Sequence, residues 1–308
     1  MAENVKNYKK LNMTKIEAKW GYIFISPWII GTSVFILFPV IASFILAFCS
    51  WDIVSPVQFV GFGNFIEIFT KDTNFWVSLW NTFYYTLFSV PLGIIGSIIV
   101  ALLMNQKWKT VRLLRTIYYL PSVTAGVASS IIWMWLFNPY SGLINYFLGQ
   151  LGIQGPMWLA SETWAKPAFI IMSLWGVGGN MIIYLAGLQG IPRQLYEAAD
   201  IDGAGSFDKF RYVTLPMLTP VIFFNLILSI VWSFQVFTQA YVMTGGTGSP
   251  GRSTLFYVLY LYQVAFKYHK MGYASALALV LFAIILIFTL IQFKFSKNWV
   301  YYESEMKK

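Results

Sequence analysis

Groups that could act as nucleophiles, metal ligands or proton carriers are sparse in this sequence: one histidine, His269, one cysteine, Cys49, and 12 Asp and Glu among 308 residues. His269 has no second His or Cys at metal-ligand spacing, and no glycine-rich loop ends in Lys-Ser or Lys-Thr. Neither a zinc centre nor nucleotide hydrolysis by this chain is therefore indicated. Cys49 has no partner for an internal disulfide and reads as a small apolar filler at a helix end. What remains is the chemistry of neutral polar groups set among aromatic rings. Ser229, Trp232 and Gln239 follow Asn225 at offsets of 4, 7 and 14, so on a helix turning 100° per residue all four share an arc of about 80°. Ser233 and Gln235 flank that stripe. An indole can stack on a sugar ring while amides and hydroxyls pair with its hydroxyls. Ser, Asn and Gln also hold apolar helices together, at about 1 kcal/mol a contact, and the spacing leaves both readings open. Ser173, Trp175, Gly176 and Asn180 form a second group, with Gly-Val-Gly-Gly over 176–179 allowing close backbone approach.

The elements that must position these groups are apolar. At 58% hydrophobic, 19% aromatic and 11% charged, the composition belongs to the membrane class. Six segments, near 22–48, 77–104, 117–137, 168–188, 218–243 and 272–293, carry no ionisable side chain over about 20 residues, enough for a helix to cross a roughly 30 Å hydrocarbon core. Backbone groups in lipid must be satisfied internally, and these runs are too long for barrel strands. An all-α integral membrane protein with six spans is expected, organised as a basic arm at 1–20, a membrane domain at 21–295 and a tail at 296–308. The absence of ionisable groups inside the spans argues against ion-coupled transport.

Lys and Arg set the orientation. Five precede the first span, four lie at 107–115, three at 189–217 and four at the C-terminal end, against five on the opposite side. The positive-inside rule thus places both termini in the cytoplasm. The net charge of +9 then describes topology, since charges spread over loops carry no nucleic-acid motif. The first apolar run exceeds the 7–15 residues typical of a signal peptide, and Phe48 before Cys49 spoils a lipoprotein cleavage box, so a retained first helix is expected. External loops punctuated by Gly, Pro and Asn follow the first, third and fifth spans. The run LFYVLYLYQVAFKYH (255–269) reads as an interfacial helix at least as easily as a lining of the path. Trp20, Trp76 and Trp299, near helix ends, read as interfacial anchors.

One polar island interrupts the apolar pattern, EAADIDGAGSFDKFRYVTLPMLTP from Glu197 to Pro220. It reads as a helix through YEAAD, a break at Asp202-Gly203 where Gly takes positive φ, and an amphipathic SFDKFRYV helix ending at Pro216. Such a hairpin suits docking onto another protein. Glu197 has a plainer reading, in which it only favours a helix N-terminal turn, worth typically 0.3–1 kcal/mol.

Glu197, Ala198, Ala199, Asp202, Gly203, Ala204, Leu215 and Pro216, at this spacing, resemble the cytoplasmic coupling loop of binding-protein-dependent ABC importer permeases, here placed at 189–217. NTFYYT at 81–86, RTIYYLPSV at 115–123, WMWLF then GLIN, LAGLQGIP at 185–192 and TGGTG at 244–248 extend the resemblance over most of the chain from Asn81. The IDGA and TLP forms look like the carbohydrate uptake branch, which contains maltodextrin and glycerol-phosphate importers. TGGTGSPG departs from the TGGGP of many relatives. The resemblance implies a compact type I importer permease in a bacterial or archaeal cytoplasmic membrane. It also implies a homologous second permease, two cytoplasmic ATPases that hold ATP and Mg (this chain holding no cofactor), an extracytoplasmic solute-binding protein and a carbohydrate substrate. Glu197 would face a basic group in an ATPase cleft, Ala198 and Ala199 would allow close approach, and Ser173, Trp175 and Gly176 with Ser229, Trp232 and Ser233 would form the sugar site. Two other classes, a secondary transporter and a membrane-embedded enzyme, leave the island without a role or require clustered carboxylates or His that the sequence lacks.

Overall fold

The computed structural model describes residues 13–301; the ends of the expected arm and tail lie outside the described residues. α1 (Met13–Thr32) passes through a π-turn into α2 (Phe38–Leu46). A two-residue antiparallel bridge, Cys49 with Phe59 and Ser50 with Gln58, closes the next loop. α3 (Gly63–Thr70), α4 (Thr73–Met104), α5 (Val111–Val123), α6 (Gly126–Leu136) and α7 (Leu143–Gln150) follow. α8 (Glu162–Ser173) and α9 (Val177–Gly190) join through a 3₁₀ turn at Leu174–Gly176. α10 (Arg193–Ile201), α11 (Ser206–Lys209), α12 (Leu215–Phe234), α13 (Thr238–Met243), α14 (Tyr257–Tyr262) and α15 (Met271–Ser296) complete the order.

Among the described residues, five stretches are long and apolar enough to cross a membrane: Ile16–Leu46, Thr73–Met104, Glu162–Gly190, Ser206–Met243 and Met271–Ser296. The third expected span is not straight, because α5 and α6 meet at 100°. Pro121 lies in the last turn of α5, and Thr124 and Ala125 are extended, with ψ of 134° and 133°, so hydropathy continues where the helix does not. One further expectation is overturned. Pro216 ends no helix: a π-turn at Phe210–Thr214 carries α11 into α12, with Pro216 two residues beyond it, and the shifted hydrogen-bond ladder of the π-turn is where a residue without an N–H can be accommodated. The stretch Glu162–Gly190 reaches past its charge-free run at 168–188 to include Lys166, in the second turn of α8.

α4 is the central element, packed against α8, α9, α12 and α14. One core cluster gathers Phe75, Phe169, Phe234, Phe256 and Leu277, and a second gathers Ile94, Ile98, Met181, Leu188 and Leu218. The 255–269 run does not line the cavity described below; its first half is core and Phe266 to His269 are exposed. Leu255, Phe256, Tyr257 and Leu259 are among the most buried side chains of the first cluster. α5 crosses α9 at a glycine: a Cβ added to Gly178 would lie 1.7 Å from the Tyr118 carbonyl oxygen. Cys49 is buried, as a filler should be.

Asp72 ties three helices together. Its Oδ1 accepts from the Phe75 N–H at 3.1 Å, capping α4, and its Oδ2 accepts from the Tyr260 and Tyr273 hydroxyls at 2.5 and 2.7 Å. Burial first, then the bond to Asp72, raises Tyr260 above its ordinary value of 10.0, and burial likewise raises Tyr257. The folded protein therefore holds these protons more tightly than the unfolded chain does. That contribution is complete below pH 10 and is lost as pH climbs beyond it. Thermal unfolding midpoints measured across alkaline pH are expected to fall from about pH 10 upward, and to fall less steeply in Tyr260→Phe.

Candidate functional site

α4, the α8–α9 junction and the end of α12 enclose a cavity of about 530 Å³. Seven of the nine residues proposed from sequence line it: Ser173, Gly176, Asn180, Ser229, Trp232, Ser233 and Gln239. Trp175 and Asn225 do not. Trp175 packs edge-on against Trp133 at 5.7 Å; two residues on from Ser173, it would lie about 160° round an α-helix from it and so faces away from the Ser173 side. Asn225 is buried, and its amide donates to the Val221 carbonyl at 2.9 Å on its own helix.

The fourth wall lies in the α4 helix, where Tyr85, Ser89, Gly93 and Ser97 recur every four residues and all line the cavity. Spacing of four marks one helical face, so the signal was present in the sequence. Gln235 and Thr238 complete the lining where α12 breaks before α13.

The lining carries no charged side chain. Ser173 and Ser233 donate to Ile170 and Ile230 carbonyls on their own helices at 2.6 and 2.9 Å, and Ser97 donates to Val177 at 3.1 Å. Their hydroxyl protons are thus committed to the backbone, and their lone pairs remain to accept from a guest. Trp232 stands 73% exposed, an indole face free for stacking. Hydrogen-bonding rings of hydroxyls is the chemistry such a wall can do. In the α12 stripe, the bonds of Asn225 and Ser233 close within the helix and none crosses to a neighbour, which is not the pattern of helix adhesion.

The polar island folds as a hairpin. α10 ends in a Schellman motif: the Ala204 N–H donates to the Ala199 carbonyl at 2.9 Å and the Gly203 N–H to Asp200 at 3.1 Å, with Gly203 at φ +76°. That conformation costs an L-residue roughly 1–2 kcal/mol, so Gly203 is required by the turn itself. Lys209 pairs with Asp200 across the hairpin. The Tyr196 and Thr214 hydroxyls share a hydrogen bond of 2.9 Å that fastens α10 to the base of α12. Ala198, Asp202 and Gly203 are exposed, and Ala199 and Ala204 half-buried. Leu215 and Pro216 are half-buried at the start of α12.

Glu197 is exposed at the fifth residue of α10 and makes no hydrogen bond or ion pair among the described residues. A helix dipole acts on the first turn, which Glu197 has already passed. Ile201, Phe207 and Tyr212, on the same hairpin, stand 87%, 70% and 70% exposed. An exposed carboxylate without a partner and bare apolar side chains on one braced hairpin are the make-up of a protein-docking surface.

Known proteins match this arrangement. The chain is 44% identical over 287 residues to a probable ABC transporter permease protein, YesP, of Bacillus subtilis, covering 92% of this chain and 93% of that one. It is 38% identical over 278 residues to the lactose transport system permease protein LacF of Rhizobium radiobacter, covering 89% and 92%. Its fold superposes on a permease chain of a bacterial alginate ABC transporter crystallised with an alginate-bound periplasmic protein, at a TM-score of 0.81 and 23% identity over 92% of this chain and 96% of that one. Residues 77–300 match the family model for the inner membrane component of binding-protein-dependent transport systems. With its apolar helices, its cavity and its braced hairpin, this multi-pass membrane protein belongs to that family of transport-system membrane components.

Proposed function

We propose that this chain is a permease subunit of an ATP-driven carbohydrate importer, taking an oligosaccharide, disaccharide or sugar derivative. The observation that carries the reading is the neutral cavity of hydroxyls and a bare indole, walled by the helices on either side of the docking hairpin. The relative named for lactose transport supports the substrate class. In this reading α5 and α6 form one bent span, six spans place both termini in the cytoplasm, and the hairpin faces two ATPases that hold ATP and Mg. A homologous permease completes the path, and an external solute-binding protein delivers the sugar. The membrane is the cytoplasmic membrane of a bacterium or archaeon. ATPase closure moves the hairpins, and the cavity exchanges the side it faces.

The test is to fill the cavity without disturbing the fold. A Cβ at Gly93 meets nothing within 4 Å, so Gly93→Leu points its side chain into open space. The variant is expected to assemble with its ATPases as wild type does and to lose most sugar uptake in reconstituted vesicles. Normal uptake by Gly93→Leu, or uptake by vesicles lacking any ATPase, would overturn the importer reading in favour of a secondary transporter.

A further inference from the structure

Lys166 is a cation without an anion. Its Nζ donates to Asn81 Oδ1 at 3.1 Å and stands 5.0 Å from the centroid of the Tyr84 ring. Among the described residues no carboxylate lies within ion-pair distance of it. Glu162, one turn earlier on α8, abuts Gly251 instead. Asn81 is itself held, donating to the Arg252 and Leu255 carbonyls at 2.8 and 3.1 Å. A half-buried charge with no counter-ion, at the end of an apolar run, is costly to keep and invites a functional reading.

Its position says what that function concerns. Lys166 precedes Ser173 by seven residues, which on a helix is about 20° of rotation and roughly 10 Å along the axis. It therefore continues the stripe of α8 that reaches the cavity. Asn81 precedes Tyr85 by four and continues the stripe of α4 in the same direction. On the proposed orientation the pair stands at the outer end of the path, above a cavity with no charge of its own. An ammonium has three donors, of which Asn81 takes one. The Tyr84 face steadies the cation without neutralising it.

The geometry points to Lys166 as the residue that selects acidic saccharides, pairing with a carboxylate, sulfonate or phosphate carried by the sugar as it enters. This rests on the carbohydrate-importer reading and deepens it: the neutral cavity grips the rings, and the Lys166 cation above it reads the charge. Anionic lipid is the other source of such a group, and the test separates the two.

The complete transporter is titrated in detergent with a panel of uronate oligosaccharides and their methyl esters, following tryptophan fluorescence. The pairs share every hydroxyl and differ only in charge. Wild type is expected to bind the acids roughly tenfold or more tightly than the esters, the scale of a charge-assisted hydrogen bond, and the preference should shrink with added salt. Lys166→Met should erase the preference while leaving ester binding unchanged, and Lys166→Arg should keep it. Where Lys166→Met fails to assemble, Lys166→Gln, which can still donate to Asn81, takes its place. Equal binding of acids and esters by wild type, or a preference that survives removal of the charge, overturns the inference. So does a charge effect confined to co-purified anionic lipid. Failure to bind any saccharide, neutral ones included, would instead count against the carbohydrate reading itself.

Discussion

Glu197→Lys is expected to abolish sugar uptake and to strip the ATPase from the purified complex, while leaving the permease folded. The fold does not use this carboxylate: it is exposed, beyond the first turn of α10, and bonded to nothing among the described residues. A change at such a surface position moves stability by at most about 0.5 kcal/mol. Docking is a different matter. Losing one partner of a desolvated charge pair costs about 2–5 kcal/mol, a loss of roughly 30-fold or more in affinity, and reversing its sign adds repulsion. Ligand binding in the cavity should persist, because Trp232 and its neighbours do not touch the hairpin tip. Co-purification of the ATPase, substrate-stimulated hydrolysis and the melting temperature together separate the two effects. A Glu197→Lys transporter that still retained its ATPase and its uptake would remove the reason for reading the hairpin as a docking element.

Gly178→Ala should damage the protein far more than the same change at Gly176 or Gly179 beside it. The added Cβ would meet the Tyr118 carbonyl oxygen at 1.7 Å and its carbon at 2.5 Å. Both are backbone atoms, so no rotamer relieves the contact and α5 must move off α9. Overpacking costs about 1–3 kcal/mol when side chains can give way, and this site lies at or above the top of that range. Gly179→Ala, whose nearest neighbour is the Ser122 Cβ at 3.3 Å, should be milder, and Gly176→Ala, with nothing within 4 Å, should leave folding untouched. Yield of monodisperse protein and the unfolding midpoint of the three variants should follow that order. Equal stability of Gly176→Ala and Gly178→Ala would mean that α5 does not pack as described.

Much of this architecture was legible because apolar runs in lipid leave the backbone few choices. Gly203 was legible too, since Asp-Gly after a helix-forming run demands a positive φ. Other features depend on contacts no local pattern contains. Hydropathy continues unbroken through Thr124 and Ala125, so a 100° bend leaves no apolar gap. Proline is ambiguous: at Pro216 it begins a helical segment rather than ending one. Lys166 lies just outside the run beginning at 168, and α8 includes it because helices do not stop where hydropathy falls. Trp175 and Ser173 are two residues apart, about 160° round an α-helix, so nearness in sequence grouped them where the helical period does not. The α4 stripe of Tyr85, Ser89, Gly93 and Ser97 is hard to read from sequence because a glycine and two serines in an apolar run look like packing residues until a cavity lies beside them.

The continuity of α11 with α12 has a mechanical meaning. Lys209 at the hairpin and Ser233 at the cavity lie on one helical rod, about 36 Å apart at 1.5 Å per residue. The chain breaks only beyond Ser233, at Gln235 to Phe237. A rod pivoting there through about 5° swings its hairpin end by roughly 3 Å and turns the indole of Trp232 through the same angle. The span is then a lever with its fulcrum beside the cavity. In the importer reading, a large stroke at the hairpin would arrive at the cavity as a small, forceful rotation, which suits a step whose work is to loosen a grip rather than to carry a load.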